Sequence, residues 1–118
     1  MSWDNELNEM AQRANLAEAM GGEEKVARQH EFNKLTIRER IAHIADADSF
    51  HEIGKLAGVG EYDEDGNLTH LTPSNFVFGT AEIDDRPVIL SGDDFTVRGG
   101  SADASIAGKR TQAEGLAA

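Results

Sequence analysis

Ser91-Gly92-Asp93-Asp94-Phe95-Thr96-Val97-Arg98-Gly99-Gly100-Ser101 is the stretch around which the rest of the chain is organised. A short apolar run over residues 87–90 leads into it, and a helical pattern beginning near Ala102 follows it. The stretch is therefore predicted to join a strand to a helix. The pair Gly99-Gly100 lets the backbone turn tightly at this junction and come close to a ligand.

Two interpretations of this junction are open. A helix N-terminus behind Gly99-Gly100 offers unpaired N–H groups and the positive end of the helix dipole, which suits a phosphate or a thioester carbonyl. Gly-Gly is also common in turns, so the same residues fit a tight turn capped by Ser101 or Asp103. The local sequence by itself favours the turn.

A β-hairpin is predicted immediately before the junction. Residues 76–83 have the periodicity of a strand, Asp84-Asp85 marks a turn, and a second strand runs over residues 86–90. Pro87 restricts the start of the second strand to an edge or entry position, because proline has no N–H to donate. The second strand therefore leads directly into the glycine turn.

Two helical segments open the chain. Residues 3–20 carry apolar side chains at spacings of three and four, and Gly21-Gly22 ends this helix or forms a hinge. Residues 23–32 form a second, highly charged helix with a small apolar face. Because these helices have no core of their own, residues 1–33 are predicted to be a helical arm that needs a partner surface, followed by a separate portion over residues 34–118.

A capped helix over residues 37–46 is predicted next. Thr36-Ile37-Arg38-Glu39 has the form of a capping box, in which the Thr36 hydroxyl and the Glu39 carboxylate each accept from a backbone N–H of the other residue. Arg38 and Arg40 are expected to be exposed and to pair with Glu39 or an aspartate. Residues 49–53 are expected to form a short extended or turn segment.

The remaining segments give weaker patterns. Residues 54–72 are the least regular part of the chain, with a turn at Asp65-Gly66. A weak helical stripe runs from about residue 102 to 117, and Gly115 is expected to interrupt it. Because that last amphipathic helix looks unfinished, we expect a chain that has been cut or that another protein completes.

Composition excludes several classes of function. Among 118 residues there are 22 acidic and 11 basic ones, for a net charge of −11, which disfavours nucleic acid and anionic membrane surfaces. The chain has no cysteine, so disulfides and thiol catalysis are excluded. No apolar run approaches the roughly 18 residues of a membrane span, and no signal peptide is visible, so a cytoplasmic protein is expected.

The sequence also contains no complete metal-binding pattern. Glu61-x-Asp63-x-Asp65-Gly66 begins like an EF-hand loop, but Thr72 stands where the bidentate carboxylate of the calcium site belongs. An acidic hairpin turn is the better interpretation. The histidines are not spaced as metal ligands; they lie at positions 30, 43, 51 and 70. Neither a catalytic acid–base pair nor a nucleophile motif is visible, so no catalytic or metal-binding residue is assigned.

Four blocks of sequence carry a resemblance to a known family. Lys34-Leu35-Thr36-Ile37-Arg38-Glu39-Arg40-Ile41, followed by Asp48-Ser49-Phe50-His51-Glu52, resembles a signature of the carboxyltransferase (β) subunits of biotin-dependent acyl-CoA carboxylases of the propionyl-CoA carboxylase type. Phe78-Gly79-Thr80-Ala81-Glu82-Ile83-Asp84 resembles the family's first hairpin. Asp94-Phe95-Thr96-Val97-Arg98-Gly99-Gly100-Ser101 with Lys109 resembles its Asp-Phe-Thr-Val-x-Gly-Gly-Ser turn.

The chain also departs from the family pattern. Asn33 stands where the family usually has glycine, and Asp85 replaces the turn glycine that follows Asp84. The Asp85 replacement should strain a type I′ turn or force another turn. Gly115 breaks a helix that ordinarily continues, and the family's chains are several times longer.

The resemblance implies an α+β structure that forms the first part of a crotonase-like carboxyltransferase domain. It implies a fragment or split subunit of an enzyme that moves a carboxyl group from carboxybiotin to a short acyl-CoA such as propionyl-CoA. Two alternatives are a non-catalytic interaction subunit that completes or caps a carboxyltransferase-like oligomer, and a component of a biotin-independent acyl-CoA decarboxylase.

The resemblance further implies partners and contacts. The partners are the remainder of the carboxyltransferase or a related subunit, in an oligomer, together with acyl-CoA; nucleic acid and membrane are not among them. The chain alone is expected to be inactive and to hold no cofactor itself, carboxybiotin being carried on another domain. By analogy with crotonase-like enzymes, the turn contacts acyl-CoA, and the residues assigned to that contact are Phe95, Arg98, Gly99, Gly100, Ser101 and Lys109.

Overall fold

A computed structural model describes residues 2–97 and 108–118. It confirms the predicted mixture of helices and strands. In chain order the elements are α1 (Asp4–Glu18), α2 (Glu23–Glu31), α3 (Ile37–Ile44), β1 (His51–Ile53), β2 (Gly58–Tyr62), β3 (Leu68–Pro73), β4 (Phe76–Ile83), β5 (Arg86–Asp93) and α4 (Gly108–Ala117).

The predicted hairpin forms the centre of the main sheet. Strands β4 and β5 pair in antiparallel register from Phe76 opposite Asp93 to Ile83 opposite Arg86, and β1 pairs with the other edge of β4. The second strand is longer than predicted, because residues 91–93 continue the ladder instead of starting the turn. The extended segment expected near residues 49–53 is confirmed as β1.

The turn of this hairpin keeps left-handed backbone at both central positions despite its two aspartates. Asp84 has a φ of 51° and Asp85 a φ of 65°. Both backbone N–H groups donate to the carboxylate of Asp46, at 3.0 Å and 2.9 Å. The strain expected from the missing glycine is therefore present, and the Asp46 carboxylate offsets part of its cost by satisfying the turn's donors.

The segment described as irregular is a second hairpin, which corrects the sequence interpretation. Strands β2 and β3 pair from Gly58 opposite Pro73 to Tyr62 opposite Leu68, with an irregularity between Glu61 and Tyr62. The alternation is hidden in the sequence because Leu68 and Leu71, two of the buried residues of β3, are three positions apart and not two. The turn predicted at Asp65-Gly66 does lie between the two strands.

The core lies between the main sheet and α4. Phe76, Phe78 and Ala113 form a buried cluster, against which Ile53 and Ile89 pack. The phenylalanine rings are stacked with centroids 5.8 Å apart. Gly115 does not interrupt α4, which continues to Ala117, so the predicted break is wrong. Residues 102–107 of the predicted helix lie outside the described residues.

The capping box of α3 is confirmed. The Thr36 hydroxyl accepts from the Glu39 N–H at 3.2 Å, and the Glu39 carboxylate accepts from the Thr36 N–H at 3.0 Å. Of the isoleucines in this helix, Ile41 is buried and Ile44 is 55% exposed. The helix ends at Ile44, two residues earlier than predicted.

The N-terminal helices lie against the body of the structure to different extents. Helix α1 packs on β3, burying Ala17, and its Gln12 side chain donates to the Leu68 carbonyl at 2.9 Å. Helix α2 buries no residue. Within the part of the chain that is described, none of the helices has the length and apolar character needed to cross a membrane.

Candidate functional site

The turn that follows β5 is built on a buried aspartate. Asp94 is 2% exposed, and its carboxylate accepts from the Thr96 N–H at 2.9 Å and from the Thr96 hydroxyl at 2.6 Å. The Asp94 N–H donates to the Asn75 carbonyl at 2.6 Å. With Asp94 and Thr96 held inward, Phe95 is the residue of the turn that points out, and it is 60% exposed.

The same turn fixes the junction between the first two helices. The Gly21 N–H donates to the Thr96 hydroxyl at 2.9 Å. A Cβ atom at position 21 would lie 1.9 Å from the Thr96 carbonyl oxygen, so only glycine allows this approach. Gly22 follows with a φ of 102°, and α2 begins directly after it. The contact therefore places α2 beside Phe95.

A cleft of about 370 Å³ opens between α2 and this turn. Its lining consists of Lys25, Arg28, Gln29, Phe32, Lys34, Phe95 and Thr96. Phe32 and Phe95 are 63% and 60% exposed, so the cleft presents two uncovered aromatic rings to solvent. The size lies at the lower end of the range typical of ligand pockets, about 300–1,000 Å³.

Positive charge accompanies both rings. The Arg28 guanidinium lies 6.0 Å from the centroid of the Phe32 ring, and the Lys34 ammonium lies 5.9 Å from that of Phe95. Among residues 2–97 and 108–118, the ion pairs are His30–Glu39, Arg38–Glu52, Lys55–Glu18 and Arg110–Asp93, and none includes Lys25, Arg28 or Lys34.

Seven of the ten described lysines and arginines form no ion pair with another described residue, and three of these seven are Lys25, Arg28 and Lys34. Together with two exposed rings, they suit a ligand that carries phosphates and a flat aromatic group. Such a ligand would gain charge-assisted hydrogen bonds from the cations and stacking from the rings. The arrangement can bind and orient a ligand, and it contains no pair of groups arranged for proton transfer.

The residues predicted to contact acyl-CoA divide into three groups. Phe95 lies in the cleft, as a binding role requires. Arg98, Gly99, Gly100 and Ser101 lie outside the described residues. Lys109 is not among the residues that line the cleft, and it is only 8% exposed. The structure thus brings Phe95 together with residues that were not predicted, and it places Lys109 elsewhere.

Lys109 is buried and lies close enough to Glu52 and Arg38 to feel their charges. Its ammonium lies 5.9 Å from the centroid of the Phe78 ring. Burial lowers the pKa of the Lys109 ammonium, the Glu52 carboxylate raises it, and the Arg38 guanidinium lowers it. This burial favours a structural part for Lys109, and the contact of Lys109 with acyl-CoA stays a prediction.

The expectation for Arg38 is corrected in this region. It was expected to be exposed and to pair with Glu39 or an aspartate, yet its guanidinium donates twice to the Glu52 carboxylate, at 2.7 Å and 3.0 Å. The side chains of Arg38 and Glu52 are 22% and 9% exposed. The pair joins α3 to β1, a contact that sequence spacing cannot show because it depends on how the helix lies on the sheet.

Sequence reasoning missed most of the cleft, although α2 contained a signal. Lys25, Arg28, Gln29 and Phe32 are spaced at i, i+3, i+4 and i+7, which places them on one face of a helix. The sequence describes α2 only as a highly charged helix with a small apolar face, and it assigns no binding role to these residues. Lys34 could be placed in the same cleft only once the turn at Asn33, which has a φ of 56°, was known.

Acidic clusters elsewhere are accounted for by local structure. Asp46, Glu82 and Asp85 are the group of possible metal ligands found within the described residues, but both oxygens of Asp46 already accept from the β4–β5 turn. In the β2–β3 turn, Asp63 accepts from the N–H groups of Asp65 and Asn67, both at 2.9 Å. These contacts are those of an acidic hairpin turn, which was the preferred interpretation of the EF-hand-like sequence.

The three relatives described next are subunits of enzymes named for propionyl-CoA or methylmalonyl-CoA. The carboxyltransferase subunit of propionyl-CoA carboxylase from Haloferax mediterranei is 32% identical over 101 residues, covering 86% of this chain and 20% of the relative. The methylmalonyl-CoA carboxyltransferase 12S subunit of Propionibacterium freudenreichii is 34% identical over 96 residues, covering 81% and 18%. The methylmalonyl-CoA decarboxylase subunit alpha of Veillonella parvula is 35% identical over 99 residues, covering 84% and 19%. No protein-family model matches the chain.

Solved structures agree with these relatives. The transcarboxylase 12S hexamer, with methylmalonyl-coenzyme A and methylmalonic acid bound, has a TM-score of 0.79 at 29% identity, covering 98% of this chain and 23% of that one. A single-chain, multi-domain long-chain acyl-CoA carboxylase has a TM-score of 0.76 at 26% identity, covering 95% and 12%. The chain spans about a fifth of the length of the relatives it matches in sequence. In both sequence and fold, the chain is similar to one part of the carboxyltransferase subunits of acyl-CoA carboxylases.

Proposed function

We propose that the chain is the part of an acyl-CoA carboxyltransferase that helps to hold acyl-CoA, with Phe95 at the contact. The observation that carries the proposal is the cleft, in which Phe95 and Phe32 stand beside Lys25, Arg28 and Lys34. None of these three cations forms an ion pair with another described residue. Coenzyme A carries phosphates, which complement the cations of this cleft, and an adenine ring, which complements its aromatic rings. The relatives are carboxyltransferase subunits of enzymes named for propionyl-CoA and methylmalonyl-CoA.

The substrate and the donor follow from the resemblance. A short acyl-CoA such as propionyl-CoA would receive a carboxyl group from carboxybiotin held on another domain; one relative, from Mycobacterium tuberculosis, is described as biotin-dependent. The cations of the cleft suit phosphates better than the uncharged ureido ring of biotin. We therefore assign binding and orientation of acyl-CoA to this chain, and no step of carboxyl transfer. A cytoplasmic location, and the division of the chain at residue 33, stay predictions.

The direct test is calorimetric titration of the full chain with propionyl-CoA. We expect weak binding that Phe95→Ala reduces and that Trp3→Ala, a change at an equally exposed aromatic residue outside the cleft, leaves unchanged. Equal effects of the two substitutions on binding would show that Phe95 does not belong to the binding site. Turnover on adding free carboxybiotin would show that this chain is a complete active site and that the predicted inactivity is wrong.

Two alternatives have specific support. The 35% identity to the methylmalonyl-CoA decarboxylase subunit alpha favours a decarboxylase component equally well, since the same acyl-CoA contact serves both reactions. The exposed apolar side chains of α1, Trp3, Leu7 and Met10, favour an interaction subunit that docks on a carboxyltransferase or a related chain in an oligomer. Light scattering tests the second alternative, with the chain alone and after addition of a purified carboxyltransferase of this family. A chain that stays monomeric at every concentration and forms no complex with the added protein would contradict this alternative.

A further inference from the structure

The first half of α1 carries an uncovered apolar stripe. Trp3, Leu7 and Met10 make up this α1 stripe, and their exposed fractions are 66%, 60% and 53%. The next positions on the same face are covered, because Ala14 is half-buried and Ala17 is 2% exposed. An apolar face that is buried at one end of a helix and uncovered at the other is typical of a surface on which another protein packs.

The spacing of the α1 stripe is that of a helix that packs on another helix. Successive members from Trp3 to Ala17 are four, three, four and three positions apart, which is the heptad spacing of paired helices. Leu7 and Met10 lie within about 60° of each other around the helix. Residues 2–8 are all exposed, and so short a helical segment is marginally stable in water without a surface to pack on. The stripe therefore suits another helix.

The charge around the α1 stripe indicates which kind of helix it suits. Asp4 and Glu6 lie on its two sides, each within about 60° of its nearer edge. In the described part of the chain, no ion pair includes either carboxylate. Residues 3–10 contain three acidic side chains and no basic one. Arg13, the next cation along α1, already donates two hydrogen bonds to the body of the structure.

We propose that the α1 stripe docks an amphipathic helix of a partner protein, in which lysines or arginines flank the apolar seam. The seam covers the three apolar side chains, and the basic flanks face Asp4 and Glu6. A second copy of this chain does not fit, because either orientation of its α1 would bring acidic residues against acidic residues. An anionic lipid surface does not fit for the same reason. The inference specifies the chemistry of a partner and does not depend on acyl-CoA binding.

The test adds to the full chain two helical peptides that have the same leucine seam, one flanked by lysines and the other by glutamates. Trp3 is the only tryptophan of the chain, so its fluorescence reports directly on the stripe. We expect the lysine peptide to shift the Trp3 emission to shorter wavelength. At low salt it should bind at least about tenfold more tightly than the glutamate peptide, and the difference should shrink as salt is added.

A matched pair of substitutions locates the binding surface. Leu7→Ala and Leu116→Ala remove the same side chain from α1 and from α4, where the exposed fractions are 60% and 50%. Leu7→Ala should weaken binding of the lysine peptide by about fivefold, whereas Leu116→Ala should change it by less than about twofold. The double substitution Asp4→Asn with Glu6→Gln, which removes charge at constant shape, should reduce the preference for the lysine peptide.

Each of the other outcomes contradicts the proposal. Equal binding of the two peptides, or an unchanged Trp3 emission at millimolar peptide, would show that the stripe selects no basic helix. Equal effects of Leu7→Ala and Leu116→Ala would place the peptide elsewhere. Self-association that Leu7→Ala abolishes would assign the stripe to a second copy, and binding to vesicles of anionic lipid would assign it to a membrane. None of these results bears on acyl-CoA binding, which the propionyl-CoA titration tests separately.

Discussion

The backbone N–H of Gly21 donates a hydrogen bond of 2.9 Å to the hydroxyl of Thr96, which lies 75 positions later in the chain. The same hydroxyl donates to the buried carboxylate of Asp94 at 2.6 Å. This relay joins the start of α2 to the turn that carries Phe95. The two walls of the cleft therefore face each other because of one glycine and one threonine.

Gly21→Ala should destabilise the fold. A Cβ atom at position 21 would meet the backbone carbonyl of Thr96 at 1.9 Å, and a backbone atom cannot move aside as a flexible side chain can. We expect a loss of about 2 kcal/mol or more in the free energy of unfolding, measured by urea denaturation. Gly115→Ala is the control, because its Cβ would meet nothing within 4 Å in the middle of α4, and it should stabilise by about 0.5–1 kcal/mol. Equal changes in the two variants would contradict the contact.

Arg38→Met should be costly because it leaves the Glu52 carboxylate, 9% exposed, without its partner. The expected loss of unfolding free energy is about 3 kcal/mol, as for other largely buried ion pairs from which one member is removed. Lys55→Met breaks the pair with Glu18, which is 54% exposed, and should cost less than about 1 kcal/mol. Thermal and urea unfolding of both variants decide the matter, and a similar cost for both would mean that the Arg38–Glu52 pair is not effectively buried.

Asp85→Gly should stabilise the protein. Asp85 has a φ of 65°, a region that costs a residue with a Cβ about 1 kcal/mol relative to glycine. The N–H that donates to Asp46 is retained, so the gain should approach that figure in chemical denaturation. Asp65→Gly makes the same chemical change in the β2–β3 turn, where the residue is not among those with positive φ, and should give no gain. A loss of stability on Asp85→Gly would show that the aspartate side chain stabilises the fold by more than its left-handed backbone conformation destabilises it.

Low pH should weaken the contact between α2 and α3. The His30 ring, followed by the Thr36 N–H, lowers the pKa of Glu39 from 4.5 to about 2. Because the pKa in the folded state is depressed, this contribution to stability is complete above about 4.5 and is lost as the pH falls towards 2. A carbon-13 NMR titration should find the Glu39 midpoint near 2, and a midpoint near 4.5 would show that the pair does not persist in solution. Glu39→Gln should remove this part of the pH dependence while keeping an acceptor for the Thr36 N–H.

The sequence determined the local structure and the family resemblance. The capping box of Thr36 and Glu39, the strand periodicity of residues 76–83 and the turn at Asp65-Gly66 all depend on neighbours in the chain, and each was found where it was predicted. The family resemblance was determined by the order of several specific blocks of residues, which does not require knowledge of their packing. The strain at Asp85 was also foreseeable, because the positive φ of a type I′ turn is a local property.

Only the tertiary structure decided which residues form the cleft and which form the interior. Lys25, Arg28 and Phe32 meet Phe95 because the Thr96 hydroxyl receives the Gly21 N–H, a contact between residues 75 positions apart. Lys109, which the sequence assigned to the ligand, is instead buried near Glu52 and Arg38. Sequence spacing reports only on contacts within one helix or strand, whereas the burial of a charge depends on how separate elements pack. For that reason the family resemblance was predictable from the sequence, and most of the residues that line the cleft were not.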